Sequence, residues 1–393
     1  MSIKFKLLAA MAALSLVLGA CGKADETETK PKVENKEKSA EKEEAEKTEE
    51  VDYAKVFGEA ITELDKAKEG KDVDFAKVTD LYNKNLKQLV QNRDAEFEDT
   101  LDEKITAALT AGKDGSMDKV VVRQIFDKLM QKVFYTSIKH DFTEVTEKWG
   151  NTEEVNGELE EAKGYYAILN STVEKRDAAY GTNLVSVIDG GFNEIETAIK
   201  NNDQLSFNLG KQVVDKTLMK TFYLATGALP NGYATKTAAE AKEDAAAAKV
   251  EQAEGWAFFQ SLYSYLNSHA AEETAYIEKS FTLESDVKAL DPAAVNKAFV
   301  RGFAKIAISE YSESKEFLEK GEDKAAVTGL EGALFIDIIG EDIKTLLGEE
   351  AYKTLNEKAQ KYVNTAKAKD KAAGDAQLND LISTLNTIVE KAK

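Results

Sequence analysis

The sequence predicts an all-α protein in which repeated helical hairpins form a bundle or array. Apolar residues recur at intervals of three and four along many segments, as at Val122, Ile125 and Leu129, which is the spacing of one buried helix face. Only three of the 393 residues are proline, so few positions would interrupt a helix. Runs in which apolar and polar residues alternate, as in a half-buried strand, are scarce.

The first 20 residues have the organisation of an export signal. Lys4 and Lys6 come before the apolar run "LLAAMAALSLVL", which is too short to span a bilayer as a helix. The run ends in "LGAC" (18–21), which resembles the lipobox of bacterial lipoproteins, where the signal is cleaved before the cysteine and the cysteine is acylated. We therefore predict a signal peptide at 1–20 and a lipid anchor on Cys21, at the outer face of the bacterial cell membrane. The alternative is ordinary secretion with an incidental cysteine.

Residues 22–50 consist almost entirely of Lys, Glu, Thr, Asp and Ala. Such a segment has too little apolar surface to offset the entropy of ordering, so we expect 21–50 to be the lipid-bearing cysteine and a disordered charged tether. The remaining segment, 51–393, is long enough for a large core. Cys21 is the only cysteine, so this helical domain must fold without disulfides.

Three stretches of the domain resemble one another. A first helix is followed by a polar stretch and then by a motif that carries a glutamate and, four residues later, an aromatic residue. The first helices are "VVRQIFDKLMQKVFY" (121–135), "QVVDKTLMKTFY" (212–223) and "AAVNKAFVRGFAKI" (293–306), and the motifs are "EEAKGYYAIL" (160–169), "AEGWAFFQSL" (253–262) and "LEGALFIDII" (330–339). Similar phasing with different loop lengths predicts duplicated hairpins, with units at roughly 51–118, 119–210, 211–290 and 291–393.

The formal net charge of −19 restricts the classes of partner. Nucleic-acid binding depends on basic contacts to phosphate, so we expect no nucleic-acid partner. An acidic surface is compatible with attracting metal cations, and also with solubility alone.

The motif glutamates are the first candidates for a site. Glu161, Glu254 and Glu331 each head an apolar stripe, and Glu158 and Glu251 lie one helical turn before the first two. An E-x-x-E pair can present two carboxylates to one cation, and oxygen ligands suit hard cations. We predict Glu161 and Glu254 as metal ligands, followed by Glu158, Glu251 and Glu331. The alternative is that they serve as helix caps, of which "TGLE" (328–331) is an example, interact with the helix macrodipole, or belong to ion pairs.

Two further observations limit the chemistry. His140 and His269 are the only histidines, and they are additional metal-ligand candidates, although a surface or capping role also fits them. No G-x-S-x-G sequence or glycine-rich phosphate loop is present, and the S-x-x-K sequences lack their companion motifs. We therefore expect binding without catalysis.

The segment 120–340 resembles the low-iron-inducible periplasmic protein family, the algal iron-assimilation proteins. "EGWAFFQSL" (254–262) is similar to the family's Asp-Glu-Gly-x-Ala-Phe-Tyr signature, and "EKRDAAYGT" (174–182) to its Asp-Lys-Arg-x-x-Asn-Phe-x-Thr stretch. The resemblance places Glu254 on the motif glutamate. In the second stretch, Glu174, Arg176 and Tyr180 correspond to the family's Asp, Arg and Phe, and Asp177 lies between them. Ala253 replaces the family's Asp, and the family's cysteines are missing here.

The resemblance implies an extracytoplasmic protein that binds iron, as Fe²⁺ or Fe³⁺, in support of iron assimilation. A membrane iron transporter is the partner that this function would require. The alternative from another class is a structural or interaction lipoprotein that contacts a cell-wall polymer or a protein without a metal site.

Overall fold

The computed structural model describes residues 51–393. Every regular element in this part of the chain is helical and no strand is present, which confirms the predicted all-α class. The predicted signal peptide, Cys21 and the charged tether lie outside the described residues. None of the helices in 51–393 combines the length and the apolar composition that crossing a bilayer requires.

In chain order the α-helices are α1 (Tyr53–Leu64), α2 (Phe75–Leu81), α3 (Lys87–Phe97), α4 (Leu101–Asp114), α5 (Lys119–Glu147), α6 (Thr152–Tyr180), α7 (Leu184–Lys200), α8 (Gln204–Thr226), α9 (Tyr233–Glu240), α10 (Ala245–His269), α11 (Ala271–Phe281), α12 (Pro292–Lys320), α13 (Lys324–Ile338), α14 (Gly340–Leu347), α15 (Glu349–Lys367) and α16 (Lys371–Lys391). Short 3₁₀ turns lie at Asp65–Glu69 and Val287–Ala289, and a π-helical turn at Tyr82–Leu86 joins α2 to α3.

Aspartates fix the starts of several long helices. Asp118 accepts hydrogen bonds from the first backbone N–H groups of α5, and Asp244 does the same at α10. Asp291 caps α12, where Pro292 occupies the first helical position. These caps satisfy donors that have no partner within the helix. Asp203 starts α8 earlier than the sequence predicted, so the predicted unit boundary at 210/211 falls inside that helix.

The long helices pack in a recurring order within the single compact unit Tyr53–Lys393. Helix α5 contacts α6 and α10, α8 contacts α10 and α13, and α12 contacts α13 and α16. Each of the three first helices therefore touches the helix that carries the motif of its own unit and a helix further along the chain. A stacked array of hairpins would have this arrangement. That the units arose by duplication stays a prediction.

The same aromatic pair occurs in each of the three motifs. Each motif aromatic packs against a phenylalanine of a first helix, with ring centroids 6.0–6.1 Å apart: Phe134 with Tyr165, Phe222 with Phe258, and Phe303 with Phe335. Each motif ring lies one helical turn after its glutamate, so the apolar stripe faces the core. Pairs at this separation stabilise a core beyond the area that they bury.

A glycine follows the motif glutamate where a neighbouring ring comes close to the helix. A Cβ on Gly255 would overlap the ring of Phe281, and one on Gly332 would lie 2.8 Å from the ring of Tyr311. These glycines therefore permit close packing. By contrast, a Cβ on Gly157 in α6 would meet nothing within 4 Å.

We expect the substitutions Gly255→Ala and Gly157→Ala to have opposite effects on stability. Gly255→Ala should lower the free energy of unfolding by about 1–3 kcal/mol through overpacking. Gly157→Ala should raise it by about 0.5–1 kcal/mol because alanine favours the helix. Urea denaturation followed by circular dichroism measures both. Equal stabilisation by the two substitutions would contradict the close approach of Phe281.

Candidate metal centre

Three carboxylates converge where α6 packs along α5. Asp141 on α5 and Glu158 and Glu161 on α6 each place one oxygen within 4.8 Å of the other two, and within 51–393 this is the only such group of three. We refer to these residues as the Asp141 cluster. Glu158 and Glu161 are three positions apart and therefore share one face of α6. An all-oxygen set of this kind suits a hard cation.

Asp141 lies at the buried end of the cluster. Its exposed fraction is 2%, and its Oδ2 has no hydrogen-bond partner among the described residues. Burial, followed by the charges of Glu161 and Glu158, raises the pKa of Asp141 well above its usual range, although Arg93 acts in the opposite direction. A buried carboxylate without a compensating partner is costly, so this residue requires an explanation.

The other buried ionic side chains of α5 differ from Asp141. Each of them is in an ion pair: Arg123 with Asp65 and Asp127, Lys128 with Asp127, and Lys132 with Asp99. Although burial alone would raise it, the charges of Lys128 and Arg123 lower the pKa of Asp127 to about 2. Among the buried charges of this helix, Asp141 alone has no ion pair in the described structure.

Two basic side chains border the Asp141 cluster. The Nζ of Lys148, at the end of α5, lies 2.7 Å from both Glu144 and Glu158. Arg93 on α3 forms an ion pair of 3.2 Å with Glu96, whose same oxygen lies 2.9 Å from Nδ1 of His140. His140 is therefore adjacent to Asp141 in the chain but pairs with a different carboxylate.

The structure places the other two motif glutamates in ion pairs. The Nζ of Lys128 lies 3.2 Å from Glu254, and the Nζ of Lys216 on α8 lies 3.1 Å from Glu331. Both ammonium groups also lie over the motif rings, at 4.9 Å from the centroid of Phe258 and 5.3 Å from that of Phe335. These glutamates are outside the Asp141 cluster, so their role as ligands stays a prediction.

The alternative role as helix caps does not fit the motif glutamates. Helices α6, α10 and α13 begin at Thr152, Ala245 and Lys324, so none of the three glutamates lies in a first turn. "TGLE" is inside α13, where the hydroxyl of Thr328 donates to the carbonyl of Lys324. The interpretation of "TGLE" as a capping box is therefore wrong, because α13 begins a full turn before Thr328.

The remaining metal candidates also lie apart from the Asp141 cluster. Glu251 has one buried oxygen without a hydrogen-bond partner in the described residues. Its pKa is raised by burial and by Glu254 and Glu240, against the opposing charge of Lys236. His269 contacts Ser268 Oγ at 2.8 Å and the Tyr265 carbonyl at 3.1 Å.

The residues in the family-like stretch make structural contacts. Asp177 accepts from the backbone N–H groups of Leu184 and Val185 and so caps α7, as Asp94 caps α4. The remaining three are distributed around α6: Glu174 accepts from Asn170, Arg176 lies 6.0 Å from the ring of Tyr233, and Tyr180 donates to the carbonyls of Leu224 and Ala228.

Sequence reasoning missed Asp141 and the two buried lysines. Asp141 follows Ile138 by three residues and precedes Val145 by four, so it occupies an apolar stripe, which was an available signal. Lys128 and Lys216 also had a signal, because an Asp-Lys pair begins seven residues before Phe134 and again before Phe222. Neither signal shows which helix would carry the residues that face Asp141, Lys128 or Lys216.

Comparison with protein-family models, curated proteins and solved structures gives no match to this chain. The resemblance to iron-assimilation proteins therefore stays a prediction from the motifs.

We expect Lys216→Met to destabilise the fold strongly. The substitution leaves Asp215 and Glu331 buried without their cation, which costs about 3–5 kcal/mol for a buried pair. Lys220→Met on the same helix is the matched control, because its partner Asp337 is half exposed and the expected cost is about 1 kcal/mol or less. Denaturant unfolding distinguishes the two. Similar costs for both variants would show that the Lys216 contact is not a buried ion pair.

Near Glu331, the carboxyl group of Glu310 should make the stability of the fold depend on pH. Tyr265 donates a hydrogen bond of 2.7 Å to Glu310 and lies 3.4 Å from Glu331. Burial and the charge of Glu331 raise the pKa of Glu310 to about 7, from an ordinary value of 4.5. Between these two values the folded state keeps a proton that the unfolded state has released, so the contribution of Glu310 to stability falls as pH rises.

We therefore expect Glu310→Gln to become more stable relative to wild type as pH rises from 4.5 to 7, by about 2 kcal/mol. Urea unfolding at several pH values measures the difference. A constant offset between Glu310→Gln and wild type across this pH range would exclude the proposed proton uptake.

Proposed function

We propose that this protein binds a hard metal cation, with iron as the first candidate, through the Asp141 cluster. The observation that carries the proposal is Asp141 itself, a buried carboxylate whose Oδ2 has no hydrogen-bond partner among the described residues and which faces two further carboxylates. Like charges at this separation repel one another, and a bound cation would convert that repulsion into attraction. The carboxylate oxygens would be the ligands, and the cation would neutralise their charge. We propose no catalysis at this site.

The biological setting follows from the sequence. The export signal and Cys21 support an anchor on the outer face of the membrane, and the resemblance to iron-assimilation proteins supports iron, as Fe²⁺ or Fe³⁺, as the cargo. A protein at that position could concentrate iron for a membrane transporter. The net charge of −19 would favour the approach of cations over a wide surface.

A second candidate function has its own supporting observation. Glu254 and Glu331 are in buried ion pairs with lysines, as expected for residues that fix helix packing. If the Asp141 cluster does not bind a cation, the acidic helical body fits a structural or interaction lipoprotein that contacts a wall polymer or another protein.

Asp141→Asn tests the metal site directly. We expect wild type to bind Fe²⁺ (under anaerobic conditions), Mn²⁺ or Ca²⁺ in isothermal titration calorimetry, with a rise in Tm on binding. The variant should lose that binding. Without metal it should be more stable than wild type by about 1 kcal/mol at pH 7, because it removes a carboxyl group whose burial beside two carboxylates is unfavourable.

Glu153→Gln, at an exposed position in the first turn of α6, is the control for a loss of negative charge alone. It should bind like wild type. Absence of binding by wild type, or undiminished binding by Asp141→Asn, would refute the metal site and favour the interaction function.

A further inference from the structure

We propose that Lys148 is the residue that positions the Asp141 cluster for its cation, by holding Glu158 from outside. This inference rests on the proposed cation site. Lys148 lies at the junction where α5 ends and the short connection to α6 begins. It therefore contacts both helices that provide the ligands.

The contacts of Lys148 form a bridge across this junction. Its Nζ is 2.7 Å from an oxygen of Glu144, three residues after Asp141 on α5, and 2.7 Å from Oε1 of Glu158 on α6. A glutamate that is held through one oxygen loses rotational freedom, and its second oxygen keeps a defined direction. The bridge also fixes the distance between the ends of the two helices near the cluster.

The energetic effect of this bridge should appear in affinity more than in stability. The side chain of Lys148 is 31% exposed, and ion pairs that are this accessible to water contribute little to folding. Partners that orient a metal ligand, by contrast, commonly change metal affinity by about 10–100-fold. The positive charge of Lys148 would itself oppose a cation, so a loss of affinity on its removal isolates the positioning effect.

Lys163 on α6 provides a matched control. It bridges Glu160 on α6 and Glu196 on α7, and its side chain is 28% exposed. Its geometry therefore resembles that of Lys148. Neither of its carboxylates belongs to the Asp141 cluster.

The experiment compares Mn²⁺ binding by the full chain and by three variants: Lys148→Met, Lys148→Arg and Lys163→Met. Binding is measured by calorimetry and by the electron paramagnetic resonance of free Mn²⁺, and Tm is measured without metal. We expect Lys148→Met to weaken binding about tenfold or more, and Lys148→Arg to retain most of the affinity. Lys163→Met should bind like wild type, and the Tm values of the two methionine variants should be similar.

Each contrary outcome has a distinct meaning. Binding by Lys148→Met that equals or exceeds that of wild type overturns the positioning role while leaving the cation site intact. An equal loss in Lys163→Met also overturns it, because the effect would then be general. If wild type itself does not bind Mn²⁺, Fe²⁺ or Ca²⁺, the cation site fails and the positioning role fails with it.

Discussion

The burial of ionic side chains on α5 is the constraint on which the rest of the structure depends. This helix is enclosed over most of its circumference, yet it carries Arg123, Asp127, Lys128 and Lys132 inside. Each charge must be compensated within the protein, partly by Asp127 on α5 itself and partly by carboxylates elsewhere in the chain. The contact of Lys128 with Glu254 therefore ties α5 to α10, and that of Lys216 with Glu331 ties α8 to α13. Such pairs add little net stability, but they disfavour other registers of the same helices, because a shifted helix would leave charges buried without partners.

Compensation of this kind also explains why the three motif glutamates differ. They share their spacing to an aromatic ring and the packing of that ring on a first helix. Glu254 and Glu331 face ammonium groups, and Glu161 lies with Glu158 and Asp141. One sequence pattern therefore supports helix packing at two positions and a candidate cation site at the third. What distinguishes the third position is Asp141 on α5, a residue outside the motif.

The helical class and the inward-facing stripes could be predicted because both follow from local spacing along the chain. The ring pairs between Phe134 and Tyr165 and between Phe222 and Phe258 confirm the orientation of those stripes. The surroundings of Glu254 could not be predicted in the same way, since its partner Lys128 lies on a helix that is distant in sequence. The burial of Asp141 likewise depends on helices that enclose α5 from several sides. Sequence spacing identified two of the three cluster residues but could not show where they would meet the third.

The presence of a buried carboxylate at position 141 is the strongest physical argument for the proposed ligand. At two other buried aspartates on first helices, a lysine follows the aspartate in the chain and pairs with it: Asp127–Lys128 and Asp215–Lys216. At Asp141 the following residue is Phe142, and the nearby guanidinium of Arg93 is paired with Glu96. An asparagine would fill the same volume without the cost of a buried charge. A buried carboxyl group that faces two further carboxylates and has no lysine beside it therefore supports the proposal that a cation binds there.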